Sequence, residues 1–355
     1  MTKICLLADT HWGVRADNRG IIENMKRFLD TCFFPEIDKQ QIKTIVHLGD
    51  VVDRPKFVNY STLSRMTEDF VNPILDRGID LHVIVGNHDT YYKDTNELNA
   101  VTELYGHLPI KIYTRPTDVQ IGDTNILMMP WICQDTHDES MDKLRTSNSQ
   151  ILFGHLQVTG FEMYRGSYCT EGYDKELFDR FDVVASGHFH HRSSFNNIYY
   201  LGTPCQFIWS DFDGSRGFHI FDTETRHLEF YENKRPMFRK VFYNDDGRSF
   251  EEVVDHDFEE CSDCYVKVII IAKTNPFWFD MFIEKLEKSG PSHVQVVEDH
   301  FLMDSLDEEE INLEAEDTLS IFKTQINKIK DKTVNKDTLS QMVTQLYIEA
   351  QVEDI

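Results

Sequence analysis

Apolar, β-branched runs alternate with helical spacing through roughly the first 200 residues, a pattern that predicts β-α-β units around a largely buried sheet. The predicted strands cover residues 3–8, 44–48, 81–85, 126–129, 150–153, 182–185 and 198–201. Between the second and third, Leu63, Met66, Phe70 and Ile74 recur at helical spacing within residues 61–77, which assigns their side chains to the core. Beyond Gly202-Thr203-Pro204 the runs shorten, and strands at 217–222 and 227–231 are expected to complete a second sheet.

A boundary near residues 233–236 divides a large unit, 1–235, from a small α/β unit, 236–300. In the small unit, strands at 265–272 and 293–298 flank a helix at 276–288. Residues 301–316 read as a solvated acidic linker. Residues 317–355 then carry two amphipathic helices, one striped by Leu319, Phe322, Ile326 and Ile329, the other by Leu339, Met342, Val343 and Leu346. Such a pair either folds back on the body or docks on a partner.

A length of 355 residues exceeds one typical domain. No stretch approaches the roughly 20 apolar residues of a membrane span, and the apolar run after Lys3 is too short for a signal-peptide core. We therefore expect a soluble, cytoplasmic protein. Seven cysteines, an odd and scattered set, suit reduced thiols. The single pair Cys261-Ser262-Asp263-Cys264 reads as a turn rather than a zinc site. A formal charge of −25 opposes simple adhesion to nucleic acid. Much of that acid, however, lies at 251–263 and 298–316, away from the residues considered next, and bound divalent metals would offset charge locally.

Five polar motifs each follow an apolar strand: Asp9-Thr10-His11, Gly49-Asp50-Val51-Val52-Asp53, Gly86-Asn87-His88-Asp89, Gly154-His155 and Gly187-His188-Phe189-His190. Open α/β sheets place their ligand sites at such strand ends. Hydrolysing a phosphodiester requires neutralising the phosphate, ionising a water near neutral pH and stabilising the leaving oxygen, and two adjacent divalent metals serve all three needs. Asp50 is the expected shared ligand. Asp9, His11 and His190 would complete one site, and Asn87, His155 and His188 the other. His88 would face substrate as proton donor or phosphate ligand, with Asp89 orienting it. Imidazole, carboxylate and amide donors without a thiolate suit manganese, iron or zinc; manganese is the expected working ion, with magnesium as an alternative.

These motifs resemble the calcineurin-like metallophosphoesterase superfamily, and Asp9-Thr10-His11-Trp12-Gly13 is similar to its DNA-repair branch, the SbcD-type nucleases. Gly202-Thr203-Pro204, the small α/β unit and the terminal helix pair follow that branch's layout. The compact length and the ending Gln345-Leu346-Tyr347-Ile348-Glu349-Ala350 look most like the phage-encoded nuclease subunits of T-even recombination endonucleases. The resemblance implies a four-layered α/β/β/α catalytic domain, a capping domain that engages DNA, and C-terminal helices that bind a coiled-coil, SbcC-like ABC ATPase. It also implies manganese-dependent double-strand exonuclease and single-strand or hairpin endonuclease action within a nuclease dimer. Many members carry His where this chain has Asp53, so that residue's role does not transfer.

Two alternatives stay open: a protein phosphatase or small-molecule phosphodiesterase with the same metal chemistry, and a metal-bearing scaffold for the ATPase. Phosphatases of this kind read Asn-His-Glu where this chain reads Asn87-His88-Asp89. For DNA contact, the positive candidates are Arg54, Lys56, Lys93, Arg165 and Arg192, with Lys234, Arg235, Arg239 and Lys240 at the unit boundary.

Overall fold

The computed structural model describes residues 2–164 and 167–298, together with Lys336, Leu339 and Met342. In the first of two six-stranded sheets, β1 (Lys3–Leu7), β2 (Thr44–His47), β3 (Asp80–Ile84) and β4 (Lys111–Tyr113) run parallel in that order. The second is built from β5 (Thr117–Ile121), β6 (Thr124–Met129), β7 (Ile151–His155), β10 (Val183–Gly187), β11 (Ser193–Phe195) and β12 (Ile198–Tyr200). Its order is β11-β12-β10-β7-β6-β5, and the small hairpin β8 (Glu162–Tyr164) and β9 (Ser167–Tyr168) stands apart.

Side-chain alternation along the strands sorts the core into layers. Ile4, Leu6 and Ala8 of the first sheet meet Ile126, Met128, Ile151, Phe153 and Ala185 of the second. The intervening Cys5, Leu7 and Ile45 point the other way, toward Phe28, Phe33 and Phe70 of the covering helices. Those helices are Arg19–Phe28, continued through one wider turn, Leu29–Phe33, into Phe34–Lys39, and the stretch from Tyr60–Met66 to Asn72–Asp76. On the far side Leu127, Leu152 and Val184 pack against Leu144 of helix His137–Thr146 and against Phe178. The result is the four-layered α/β/β/α arrangement. Phe153 and Phe221 meet edge to face across the two sheets at 5.5 Å, and truncating either ring would cost about 3–5 kcal/mol.

One expectation is corrected. The strands predicted after Gly202 do not complete the second sheet: β13 (Gly217–Asp222) pairs antiparallel with β1, and β14 (Leu228–Glu232) pairs with β13, extending the first. The reason lies in packing, since Phe218 of β13 stacks edge to face on Phe28 and Phe33, 6.1 and 5.0 Å away beneath the helices of the first sheet.

Residues beyond β14 form a separate three-stranded parallel sheet, β15 (Phe238–Asn244), β16 (Tyr265–Ala272) and β17 (His293–Val297), with β16 central. Helices Phe250–Val254 and Pro276–Lys288 cover one face, burying Tyr243, Val266, Val268, Phe282 and Leu286. This small layer sits against the two-sheet body. Gln206 Oε1 accepts the backbone N–H groups of Met237 and Phe238 at 2.8 and 3.0 Å. The Trp209 ring lies 4.8 Å from Phe238 and 4.2 Å from Lys267 Nζ, and Arg27 pairs with Asp263 at 2.9 Å. The predicted acidic linker 301–316 and the helices 317–355 lie outside the described residues, apart from Lys336, Leu339 and Met342. Among the described residues, no helix is long and apolar enough to cross a membrane.

Candidate metal centre

Parallel strands carry the five motifs to one edge shared by both sheets. Asp9 and His11 follow β1, Asp50 follows β2, Asn87 and His88 follow β3, His155 closes β7, and His188 and His190 follow β10. The backbone is bent sharply there: Asp9, His11, Asp50 and His188 take φ of 52°, 43°, 54° and 89°. Each such non-glycine residue in the left-handed region costs about 1–2 kcal/mol, and clusters of them mark sites whose surroundings over-determine the geometry. Two glycines allow the close approach. A Cβ on Gly49, at φ 92°, would strike the His155 ring, and one on Gly86 would strike the Asp50 carboxylate.

The side chains fall into donor groups whose ligand atoms lie within 4.8 Å of one another: Asp9, His11 and His190; Asp50, His155 and His188; and His11, Asp53 and His88. Asp50 ties the first two, its Oδ2 lying 3.8 Å from His11 Nε2 and 3.2 Å from His155 Nε2. Asn87 Oδ1 joins the second group, 2.9 Å from His155 Nε2 and 3.0 Å from His188 Nδ1. The His11 and His190 Nε2 atoms face each other at 3.0 Å. Buried Asp9 Oδ2, His11 Nδ1 and His190 Nδ1 lack hydrogen-bond partners. Lone-pair atoms brought this close repel unless protons or a cation lie between them, so the donor set fits divalent ions of the oxygen- and imidazole-loving kind.

Ionisation follows from burial. Burial pushes the Asp9 carboxyl up to about 8 against the pull of His155. Burial also opposes charge on His155, but Asp50 beside it outweighs this and carries it up to about 9. The Asp50 carboxyl is buried too, yet His155 and His88 hold it well below its usual range. Burial lowers His11, helped by His190, and takes His190 itself down to about 4. The metal-free centre is thus an Asp50–His155 ion pair with neutral His11 and His190. His155 Nδ1 lies 2.7 Å from the Leu48 carbonyl oxygen. A carbonyl only accepts, so Nδ1 carries a hydrogen and Nε2 is the atom offered to a cation once the extra proton leaves.

His88 and Asp89 have separate surroundings. His88 Nδ1 lies 2.7 Å from the Asp53 carbonyl oxygen, and the His88 backbone N–H donates to Asp50 Oδ1 at 2.9 Å. The expectation that Asp89 orients His88 is therefore corrected: it is the Asp53 carbonyl that holds Nδ1. Asp89 instead accepts the backbone N–H groups of Asp50, Val51 and Gly86, all at 2.9 Å, and of Val52 at 3.1 Å. Its buried carboxylate braces the turn that presents Asp50. The Asp53 carboxylate lies 3.7 Å from His11 Nδ1.

The positive candidates spread more widely. Lys56 and Lys93 are exposed. Arg54 pairs with Asp17 and lies 4.5 Å over Phe57, Arg192 lies 4.1 Å over Phe230, Arg239 pairs with Glu260 at 3.0 Å, and Lys240 lies 5.1 Å over Phe212. Lys234 and Arg235 are exposed at the boundary, and Arg165 lies outside the described residues. Outside the centre, His47 is held by Thr10 Oγ1 at 3.0 Å and His82 by the Tyr113 hydroxyl at 2.7 Å. Burial raises the thiols of Cys261 and Cys264, and neither belongs to a donor group among the described residues. Sequence reasoning missed Trp131, whose indole lies 5.0 Å from the His188 ring and 6.1 Å from His155.

Comparison with known proteins adds scale. The calcineurin-like phosphoesterase family profile matches residues 2–192. Exonuclease subunit 1 of Enterobacteria phage T4 is 33% identical over 354 residues, covering 98% of this chain and 99% of the relative. The SbcD component of the SbcCD nuclease of Staphylococcus epidermidis is 26% identical over 308 residues, 79% of this chain and 78% of its own. Among solved structures, an archaeal phosphodiesterase is 14% identical with a TM-score of 0.33, covering 65% of this chain and 100% of that one. A purple acid phosphatase from yellow lupin seeds is 13% identical with a TM-score of 0.34, over 66% and 48%.

Proposed function

This chain belongs to the calcineurin-like phosphoesterase family, and we propose that it is the metal-dependent DNA nuclease subunit of an SbcCD-like recombination and repair complex. The observation that carries the reading is the pair of buried donor groups joined at Asp50, with His88 held beside them. It stands in a chain similar over 98% of its length to a phage exonuclease subunit. Its reactions are double-strand exonuclease cleavage and single-strand or hairpin endonuclease cleavage.

Asp9, His11, His190 and Asp50 would hold one divalent cation, and Asp50, Asn87, His155 and His188 the second, with manganese the working ion and magnesium a substitute. Such cations supply Lewis-acid neutralisation of the phosphate and a water ionised near neutral pH. The protein's part is positional and protonic. Because its Nδ1–H is engaged by the Asp53 carbonyl, His88 in its charged form carries a second proton on Nε2. As the phosphorus–oxygen bond breaks, that proton passes to the leaving oxygen. Asp89 keeps the Asp50 turn in place throughout.

Residues 236–300 act as a cap that engages DNA, and the segment 317–355, whose sequence predicts two amphipathic helices, docks an SbcC-like ABC ATPase around a dimer of nuclease subunits. Release of nucleotides from end-labelled duplex DNA in manganese, in magnesium and in chelator tests the reading, with a phosphopeptide alongside. Cutting in manganese that stops in chelator supports it. Phosphopeptide turnover with intact DNA transfers the site to the phosphatase class.

A further inference from the structure

A cavity of about 290 Å³ opens beside His155, lined also by Trp131, Ile132, Leu156, Gln157 and Tyr173. Its frame is rigid. The Trp131 backbone N–H donates to the Val85 carbonyl at 2.9 Å and the Trp131 backbone carbonyl accepts from Asn96 Nδ2 at 2.7 Å, which ties the Trp131 backbone to the segment that carries Asn87. Across the cavity, Tyr173 N–H donates to Gln157 O at 2.8 Å and Thr159 N–H to Tyr173 O at 3.0 Å, so Tyr173 is fixed to the chain leaving His155. At Gly172, a Cβ would lie 2.6 Å from Gln157 O, so any larger residue would force these two segments apart.

Three features define what the cavity takes. Its size lies at the lower edge of ligand sites, room for one ring system and not for a strand. Aromatic and aliphatic side chains line most of it, with the Gln157 amide, the His155 imidazole and Tyr173 as its polar groups. Among the described residues, none that lines it is Lys or Arg, so the described lining offers phosphate no cationic partner. The metal-binding His155 is itself part of the wall, which places the cavity next to where a scissile phosphate would sit.

We propose that this cavity receives one unpaired nucleobase of the nucleotide flanking the scissile phosphate, held by stacking on Trp131. The proposal rests on the nuclease reading and adds a specificity element to it. A base inside a duplex is stacked and paired, so entry requires a frayed end, a hairpin loop or a single strand. Stacking is tolerant of sequence, because every base offers a π-face. The cavity therefore selects for an unpaired nucleotide and not for a particular base.

The test uses the full-length protein with manganese and single-stranded oligonucleotides carrying one tetrahydrofuran abasic residue on either side of the cut position, beside the intact strand. Wild type is expected to favour the intact strand by about 5- to 150-fold in kcat/KM for one of the two placements, the span that stacking of one base confers. Trp131→Ala should erase the preference by slowing the intact strand alone, and Trp131→Phe should restore much of it. Bound manganese is counted for each variant. If Trp131→Ala holds less metal than wild type, Tyr173→Ala replaces it in the same comparison. An unchanged preference in the variant, or none in wild type that binds manganese and cuts, overturns the cavity assignment and leaves the nuclease reading standing. Wild type that binds no manganese and cuts neither strand overturns that reading and the assignment with it.

Discussion

His155 and Leu48 are joined by a hydrogen bond of 2.7 Å from imidazole Nδ1 to backbone carbonyl, linking the end of β7 in one sheet to the residue after β2 in the other. This bond fixes which ring nitrogen faces Asp50, and it makes metal loading a proton exchange. Burial holds Asp9 up to about 8, and Asp50 overrides burial to hold His155 up to about 9. Both must lose protons to become ligands. Manganese affinity should therefore rise with pH until about 9, with protons released on binding near pH 7. Calorimetry in buffers of different ionisation enthalpy measures both.

The same groups set the stability of the metal-free protein. Asp9, Asp89 and His155 titrate above their ordinary values, so each favours the folded state at low pH and loses that contribution as pH rises to about 8, 7 and 9 respectively. Asp50, held low, contributes in the opposite sense and loses its share in acid. Thermal unfolding in chelator should show Tm falling between about pH 6 and 9. Added manganese should abolish the fall.

Asp89→Ala removes the acceptor of four buried backbone N–H groups. The expected loss is about 2–4 kcal/mol in denaturant unfolding, together with failure to bind the second manganese, because the Asp50 turn relaxes. Asp89→Asn keeps one acceptor oxygen and should fall between the two.

His88 and Asp53 can be separated because a carbonyl survives side-chain truncation. His88→Ala should lower kcat by about 10²–10⁴-fold with both manganese ions still bound. Asp53→Ala keeps the carbonyl that holds His88 Nδ1 and should cost about 10-fold or less in kcat. Single-turnover cleavage with parallel metal counting distinguishes the two.

Much of the site was legible because its requirements are local. Asp9, His11, Asp50, Asn87, His155, His188 and His190 stand in motifs just past apolar strands, and Gly49 and Gly86 mark where a Cβ would collide with a neighbouring side chain. What escaped is non-local or bears no sequence mark. The short strands β4, β5 and β11 are half-exposed and lack a buried alternation. Pairing of β13 with β1 joins residues more than 200 positions apart, and local periodicity does not specify it. The Asp89 bonds run to backbone N–H groups, which every residue but proline possesses. Nothing in the sequence marks Trp131, half-buried, as the aromatic that lies against His188.

Lys56 and Lys93 are the exposed cations nearest the second and third motifs. Reversing both to Glu should raise the KM for DNA while sparing metal binding. The dependence of log affinity on log salt should flatten by roughly one for each phosphate interaction removed. Cleavage measured across a salt series gives the slope.

That the donor groups meeting at Asp50 hold the cations that cut DNA is tested by following manganese stoichiometry and duplex DNA degradation together in wild type and Asp50→Asn. About two manganese ions per chain and cleavage are expected in wild type, with both strongly reduced in the variant while the fold persists by circular dichroism. Wild-type cleavage in chelator, or full cleavage by Asp50→Asn, would remove the metal centre from the reaction.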